Sequence, residues 1–528
     1  MDRIMCTRTL KLFRKMDKKL LKWNFIFQYG WVLTNIFNSL LLLPLYLKNI
    51  DKDTLGIWLA TGNILGWMTL VDPGVGEVLQ QKIAELRGQK QDGEIGKTIG
   101  SGFIASVFIL LVSVVLGFLC YFFIGALINK DVSRYPHLSS ALVMSIMATG
   151  LSLVSFSLSG INQGLHNAQQ VAISSLSANF LFLFVNLIFL YLGFGVLSIA
   201  LANLFRALYI NMFNIGALLR ALKKIGVQIV FDRLHFKRFI RIFSFTSLSK
   251  IITGLSYSVD MIVLARYIPP SMITVYEINK RPVNIAYSLI GRHSVALMPL
   301  ISHAKGSGDK SLIMDLVNKQ FRFYSYAAMF CALGFCFNYE YLISAWTGPG
   351  QYAGNFILYL LVGSFFLSLM SYFMATVGYA LGDIKMNSLY NIIRNIFYGV
   401  LMFFAARHFG IPGTLVVSIS VTLLADLFFY TYRLHRLGYL DRSLITDSLR
   451  RWSLVLPIAG LAGWGISQAV KQIIPNGFYL ARMVVNGGTY TLCFLLIILL
   501  TDGTVRQWWR LSMSRYVLTP FNKLFLRT

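Results

Sequence analysis

Fourteen stretches of roughly twenty apolar residues recur almost evenly between Asn24 and Leu500, and few folds can accommodate that pattern. A helix of about 20 mostly apolar residues crosses the ~30 Å hydrocarbon core of a bilayer. Inside hydrocarbon every backbone N–H and C=O needs a partner, which a helix supplies within its own segment. The spacing predicts spans near 24–47, 55–78, 100–127, 139–162, 171–191, 196–219, 242–266, 276–300, 321–344, 354–380, 387–405, 412–432, 452–470 and 480–500. Hydrophobic residues make up 56% of the 528 and charged residues 13%, a balance that excludes an ordinary soluble enzyme. The expected fold class is an all-α polytopic membrane protein.

The formal net charge is +27, which in a soluble chain would suggest nucleic acid. Here the positions of the cations argue for topology instead. Most of the 48 Lys and Arg fall in segments on the side of the N-terminus. The opposite loops are short and poor in cations: Lys48–Thr54, Ile128–Leu138, Tyr267–Val275, Ala345–Gly354 and Lys471–Gly477. Cationic loops stay cytoplasmic, so both termini are expected there, with attraction to anionic membrane lipids as a secondary effect. Residues 1–23 are basic and amphipathic, with no short apolar core ending in a small-residue cleavage site. They read as a surface helix at the inner leaflet. The five cysteines form no CxxC pair, so neither a metal site nor a disulfide framework is indicated.

No loop is long enough for a folded extramembrane domain, so function must reside among the helices. The first six spans recur as the next six: Lys48 aligns with Arg266, Ile50 with Ile268, Trp58 with Tyr276 and Ile83 with Ile301. The run Ile83-Ala-Glu-Leu-Arg-Gly88 likewise aligns with Ile301-Ser-His-Ala-Lys-Gly306. Six is even, so both units share one orientation, the parallel arrangement used by rocking transporters. The expected organisation is a basic N-terminus (1–23), an N-lobe (24–219), a basic linker (220–241) and a C-lobe (242–432). Two further helices (433–500) and a basic tail (501–528) complete it.

The runs Leu55-Gly-Ile-Trp58, Leu70-Val-Asp72-Pro-Gly74-Val-Gly76 and Ile83-Ala-Glu resemble the first two spans of Wzx-type polysaccharide flippases. These belong to the multidrug/oligosaccharidyl-lipid/polysaccharide exporter superfamily. Val259-Asp260-Met-Ile, Val275-Tyr276, Met298-Pro299-Leu-Ile-Ser302 and Gly378-Tyr-Ala-Leu-Gly382 are similar to the second-lobe signatures. One departure stands out: Asp72-Pro73-Gly74 replaces the usual acidic-Leu-Gly. The resemblance implies about fourteen helices, two six-helix lobes in a V of the MATE type plus two additional C-terminal helices. It implies a flippase in the bacterial inner membrane, not an enzyme. Its substrate would be an undecaprenyl-diphosphate-linked oligosaccharide such as an O-antigen unit. Polymerase and chain-length machinery are the implied partners.

Charged side chains at membrane depth are costly and usually face a cavity or a partner. Arg281, Asn284, Ser288 and Arg292 form one stripe on the eighth span, and Lys250, Thr253, Tyr257 and Asp260 one on the seventh. Asn387, Asn391, Arg394 and Tyr398 do so on the eleventh, Gln28, Asn35 and Asn38 on the first, and Asn203, Arg206 and Asn214 on the sixth. Arginine's planar fork suits phosphate oxygens, and amides and hydroxyls suit sugars. Arg292, Arg394, Arg281, Lys250, Arg206, Asn284, Asn35, Asn38 and Asn391 are therefore the expected substrate-binding residues. Bland readings stand beside these: snorkelling for Arg266, Lys280 and Arg281, and an ion pair of Arg292 with Asp260 or Glu340. Others are a hydrogen-bonded core role for His293 and pairing of Asp426 with Arg433 or another inner-end cation.

There is no GK[ST] loop, no HExxH and no carboxylate cluster on an aqueous domain, so no catalytic set, metal or cofactor is expected. Energy would then come from the membrane potential, or from H+ or Na+ exchange with Asp72 or Asp260 as coupling acids. A cation-coupled multidrug exporter and a lipid II flippase remain open. A glycan polymerase or ligase would need a larger outer loop.

Overall fold

The apolar runs fold as helices throughout the computed structural model, which describes residues 33–70, 75–89, 91–240, 259–306, 310–440 and 442–507. In chain order these are α1 (33–49), α2 (Lys52–Leu70), α3 (Val75–Gly88), α4 (Asp92–Ile128), α5 (Leu138–Gly164), α6 (Ala168–Tyr191) and α7 (Leu197–Ile225). A short α8 (233–240) and a helical stretch over 259–267 follow. Then come α9 (Pro270–Gly306), α10 (Lys310–Thr347), α11 (Asn355–Ala380), α12 (Ile384–Val421), α13 (Phe428–Arg436), α14 (Arg442–Ile473) and α15 (Tyr479–Thr501). No strand occurs among the described residues.

Among the described residues, eight helices are long and apolar enough to cross a bilayer. The shortfall from fourteen has physical sources. The expected first, second and seventh spans run into residues outside the described set. The eleventh and twelfth form one continuous run, Met386–Arg436, broken in its backbone at Gly410, just after the exposed pair Arg407-His408. There φ is 57° and ψ is −138°, a conformation glycine adopts readily, and Pro412 follows. The helices α7 and α9 have the length but are too polar, because they carry Arg206, Arg281, Arg292 and several asparagines. Span ends also differ from expectation: α4 starts at Asp92 and α9 runs from Pro270 to Gly306, since charged residues at span ends still have helical backbone.

Two compact units divide the chain: Met1–Thr274 with Asn395–Gly410, and Val275–Arg394 with Ile411–Thr528. In the first, α4 turns large apolar side chains outward; Phe122 and Phe123 are 75% and 67% exposed, the pattern of a lipid-facing helix. Its other side packs with Leu79 and Ile83 of α3 and Leu158 and Ile161 of α5. Here α3 and α5 approach through glycine. A Cβ on Gly160 would stand 2.0 Å from the Gly76 carbonyl oxygen, the small-residue contact common between membrane helices.

The internal repeat is visible in hydrogen bonds. At the end of α5 Leu165 caps the helix, His166 takes a φ of 63°, and Asn167 N–H donates to Asn162 O. At the end of α11 Leu381, Gly382 (φ 76°) and Asp383 repeat that turn, with Asp383 N–H donating to Gly378 O. Arg87 donates to the Leu165 carbonyl, and its sequence equivalent Lys305 donates to the Leu381 carbonyl. The starts of α2 and α9 cross reciprocally within the first unit. A Cβ on Gly56 would meet Pro270 O at 1.9 Å, and Thr274 Oγ1 donates to Lys52 O at 2.8 Å. Because 52 aligns with 270 and 56 with 274, each helix offers the same position to the other.

Candidate substrate-binding residues

The expected stripe on α9 is present. Asn284, Ser288 and Arg292 are exposed and Arg281 is half-buried along one helical face. Neither arginine has an ion pair among the described residues, so the pairing of Arg292 with Glu340 is not observed. Lys280 lies over the Tyr276 ring, 5.5 Å from its centroid. His293 Nε2 is 2.7 Å from Gln320 Oε1 and packs on Phe323, which makes it a bonded packing residue.

Arg394 is differently placed. Its Nε and Nη2 donate to both oxygens of Asp426 at 3.2 and 3.0 Å, a bidentate fork. Tyr390, one turn earlier on α12, donates its hydroxyl to Asp426 Oδ1 at 2.6 Å and stacks on Phe429 at 3.9 Å. Asn391 donates to Tyr379 Oη at 2.9 Å and accepts from Tyr430 Oη at 3.0 Å. Asp426 lies in a π-helical turn, Thr422–Leu427, whose wider winding sets where its carboxylate points. Its partner is thus Arg394, not Arg433, which instead grips Asp383 through Nε at 2.6 Å and Nη2 at 3.0 Å. The cation of Arg394 is therefore compensated here, whereas those of Arg281 and Arg292 lack a carboxylate partner among the described residues.

In the first unit, Asn38 is buried and donates to the Asn179 carbonyl at 3.0 Å, while Asn179 donates to Thr34 Oγ1 at 2.8 Å. These bonds tie α1 to α6. Asn35 is half-buried beside them. Arg206 on α7 is also half-buried, with its guanidinium 5.0 Å from the centre of the Phe182 ring. Asp260 is buried on the 259–267 stretch. Arg266 is exposed and donates to the carbonyls of Ala126 and Leu127 at 2.9 and 3.1 Å. It therefore caps the end of α4, a role beyond snorkelling. Lys130 returns the favour, donating to Ala265 O and Ile268 O at 2.5 and 3.0 Å. The basic segment 1–23, Gln28, Asp72, Lys250, Thr253, Tyr257 and the tail from residue 508 lie outside the described residues.

Several polar groups escaped the sequence reading. Tyr390 and Tyr430 each lie four residues from a partner of the Arg394–Asp426 pair, a spacing that could have flagged them. Arg322 and Tyr326, one turn apart on α10, both meet Asp502, a partner that no local spacing reveals.

The helices and their outward apolar faces define a multi-pass membrane protein. Residues 23–305 match the family described as polysaccharide biosynthesis protein, and the chain belongs to that family. No curated protein matches it. Among solved structures, it is similar to a multidrug resistance MATE family transporter of the MOP superfamily in an inward-facing conformation. The TM-score is 0.66 at 13% identity, covering 77% of this chain and 95% of that one. It is also similar to the lipid II flippase MurJ, at 0.63 and 15%, covering 90% and 99%. A third is a MOP superfamily transporter from Pyrococcus furiosus, described by a binding pocket of reverse polarity, at 0.52 and 14%, covering 80% and 97%. At such identities the likeness establishes the fold, that of these polytopic helical proteins.

Proposed function

We propose that this chain is a flippase that moves an undecaprenyl-diphosphate-linked oligosaccharide from the cytoplasmic to the outer leaflet. The observation that carries the reading is the α9 stripe, two arginines with no ion pair among the described residues and an amide and a hydroxyl between them. An arginine at the centre of a span, as Arg292 is in 276–300, costs roughly 2.5–3.5 kcal/mol against hydrocarbon, so the face that carries it is read as water-lined. A diphosphate pairs with one guanidinium at a time along the three turns, about 16 Å, from Arg292 to Arg281, and the amide and hydroxyl between them suit a sugar. Membership of a polysaccharide biosynthesis family supports a glycan cargo. With the inside negative, outward travel of a diphosphate is downhill by about 2.3 kcal/mol per charge per 100 mV. The orientation is the one the cationic loops imply, with both termini inside.

The likeness to a lipid II flippase supports a second reading, in which the same face carries a cell-wall precursor. A multidrug exporter, the third, would favour acidic residues on that face over arginines. The test is to replace Arg281 and Arg292 by alanine in a host that depends on this chain for surface polysaccharide. The expected outcome is lipid-linked repeat units accumulating on the cytoplasmic side while the protein still reaches the membrane. Normal polymer in the double variant would remove the stripe from the mechanism. Rescue of cell-wall synthesis instead would select the lipid II reading.

A further inference from the structure

At one end of the second unit, α10 and α14 begin and α15 finishes, and their side chains assemble around Asp502. Asp502 is 7% exposed and accepts from Tyr326 Oη at 2.7 Å and from Arg322 Nη1 at 3.3 Å. Its Oδ1 also accepts the backbone N–H of Thr504 and of Val505, at 2.9 and 3.3 Å. That carboxylate is fully occupied. Arg451 of α14 comes close enough to feel the charge of Arg322 and of Asp502, and donates to Ser448 Oγ at 3.2 Å. It has no carboxylate within ion-pair distance among the described residues. Arg450 beside it is exposed, and so is Arg506, which caps the carbonyls of Leu499 and Leu500. Asp447 adds one exposed negative charge. Among the described residues, four arginines against two aspartates leave this helix end net cationic.

An apolar surface adjoins this cationic end. Trp452 packs on Phe321 and Phe366 with centroids 6.4 and 5.2 Å away and keeps its indole Nε1 buried. From Arg450 an apolar ridge continues along α14 through Leu454, Ile458 and Leu461, which are 51%, 46% and 72% exposed. A cationic head with an apolar ridge running from it into the membrane matches the shape and charge of one lipid.

We infer that Arg451 and Arg450 form a binding site for the phosphodiester of an anionic phospholipid, with an acyl chain along Leu454–Ile458–Leu461. The end concerned is the one that the cationic loops assign to the cytoplasm, where anionic headgroups concentrate. The site is separate from the α9 stripe and stands whatever the transported cargo. Basic pockets between membrane helices on that side hold anionic headgroups elsewhere, at about 1 kcal/mol per cation.

The test uses the full chain in detergent, with thermal unfolding and lipid retention by mass spectrometry as readouts. Phosphatidylglycerol, phosphatidylcholine and inorganic phosphate are titrated in turn. Phosphatidylglycerol should bind and raise Tm, with phosphatidylcholine and inorganic phosphate much weaker. Arg451→Ala should weaken phosphatidylglycerol about 5-fold and Arg450→Ala/Arg451→Ala about 30-fold, following the per-cation value above. Arg451→Lys should retain most of the affinity. These variants leave the Arg322–Asp502–Tyr326 group intact, so their lipid-free Tm reports on folding. Equal phosphatidylglycerol binding by the natural chain and the double variant would overturn the site. Equal binding of inorganic phosphate, or of phosphatidylcholine, would overturn its assignment to an anionic lipid.

Discussion

Removing one member of the Arg394–Asp426 pair should cost more than removing both. The pair is nearly buried, with side chains 18% and 10% exposed, so a lone survivor is left as a charge in a poorly solvating place. Asp426→Ala is expected to lower stability by about 3–5 kcal/mol, whereas Arg394→Met/Asp426→Leu stays near the natural chain. Thermal unfolding of the purified variants measures the difference, and equal losses would show that the pair carries no such coupling. Arg292→Ala should behave oppositely. It leaves stability within about 0.5 kcal/mol of the natural chain, as for other exposed substitutions, yet removes transport. The α9 stripe was legible because helical spacing alone sets which residues share a face. The Arg394–Asp426 pair was not legible: the sequence pointed Asp426 to Arg433 or another inner-end cation and assigned Arg394 to the substrate. Arg433 is taken by Asp383, and Asp426 lies in the π turn at Thr422–Leu427; neither is visible to a spacing rule. Asp502 and Arg322, 180 positions apart, meet through tertiary packing alone.

At the scale of elements, the ends of helices carry the most testable structure. Lys130 serves two carbonyls at the end of the 259–267 stretch, so Lys130→Met should cost about 1–2 kcal/mol, readable by unfolding. Gly160→Val should be harsher, about 3 kcal/mol or more, because the new Cβ meets backbone that cannot rotate away. A well-folded, active Gly160→Val protein would contradict the close approach of α3 and α5. The start of α4 adds a pH dependence. Glu94 is held below the usual carboxylate range by its hydrogen bond to Lys97, and Asp232 by the backbone N–H of Leu234 and by His235. Both carboxylates bind fewer protons folded than unfolded. Their contribution is therefore full above pH about 5 and fades as pH falls through about 4 and below. Unfolding from pH 6 to pH 3 should show this decline, and Glu94→Gln should flatten it. The turns at Leu165 and Leu381 also explain why the repeat could be read from so few matched residues. What recurs is the hydrogen-bonding role of Arg87 and Lys305, and either cation performs it.

For the whole molecule, the membrane class followed from hydrophobic run length, since bilayer thickness fixes the length a helix needs. The same rule misplaced ends such as that of α4, because helical backbone extends beyond the apolar run, back to Asp92. It also gave no view of α7 and α9 as the polar helices of the set, although their arginines and asparagines were already in the sequence. That polarity is the centre of the functional account: α9 offers water a face that hydrocarbon would reject. The direct test places a single cysteine at Ser288, between the two arginines, in a chain whose five natural cysteines are replaced. A membrane-impermeant thiol reagent should label Ser288→Cys, and an undecaprenyl-diphosphate-linked glycan should protect it while a neutral lipid does not. A cysteine that stays unlabelled from both sides of the membrane, or one that the diphosphate lipid leaves unprotected, would contradict the account.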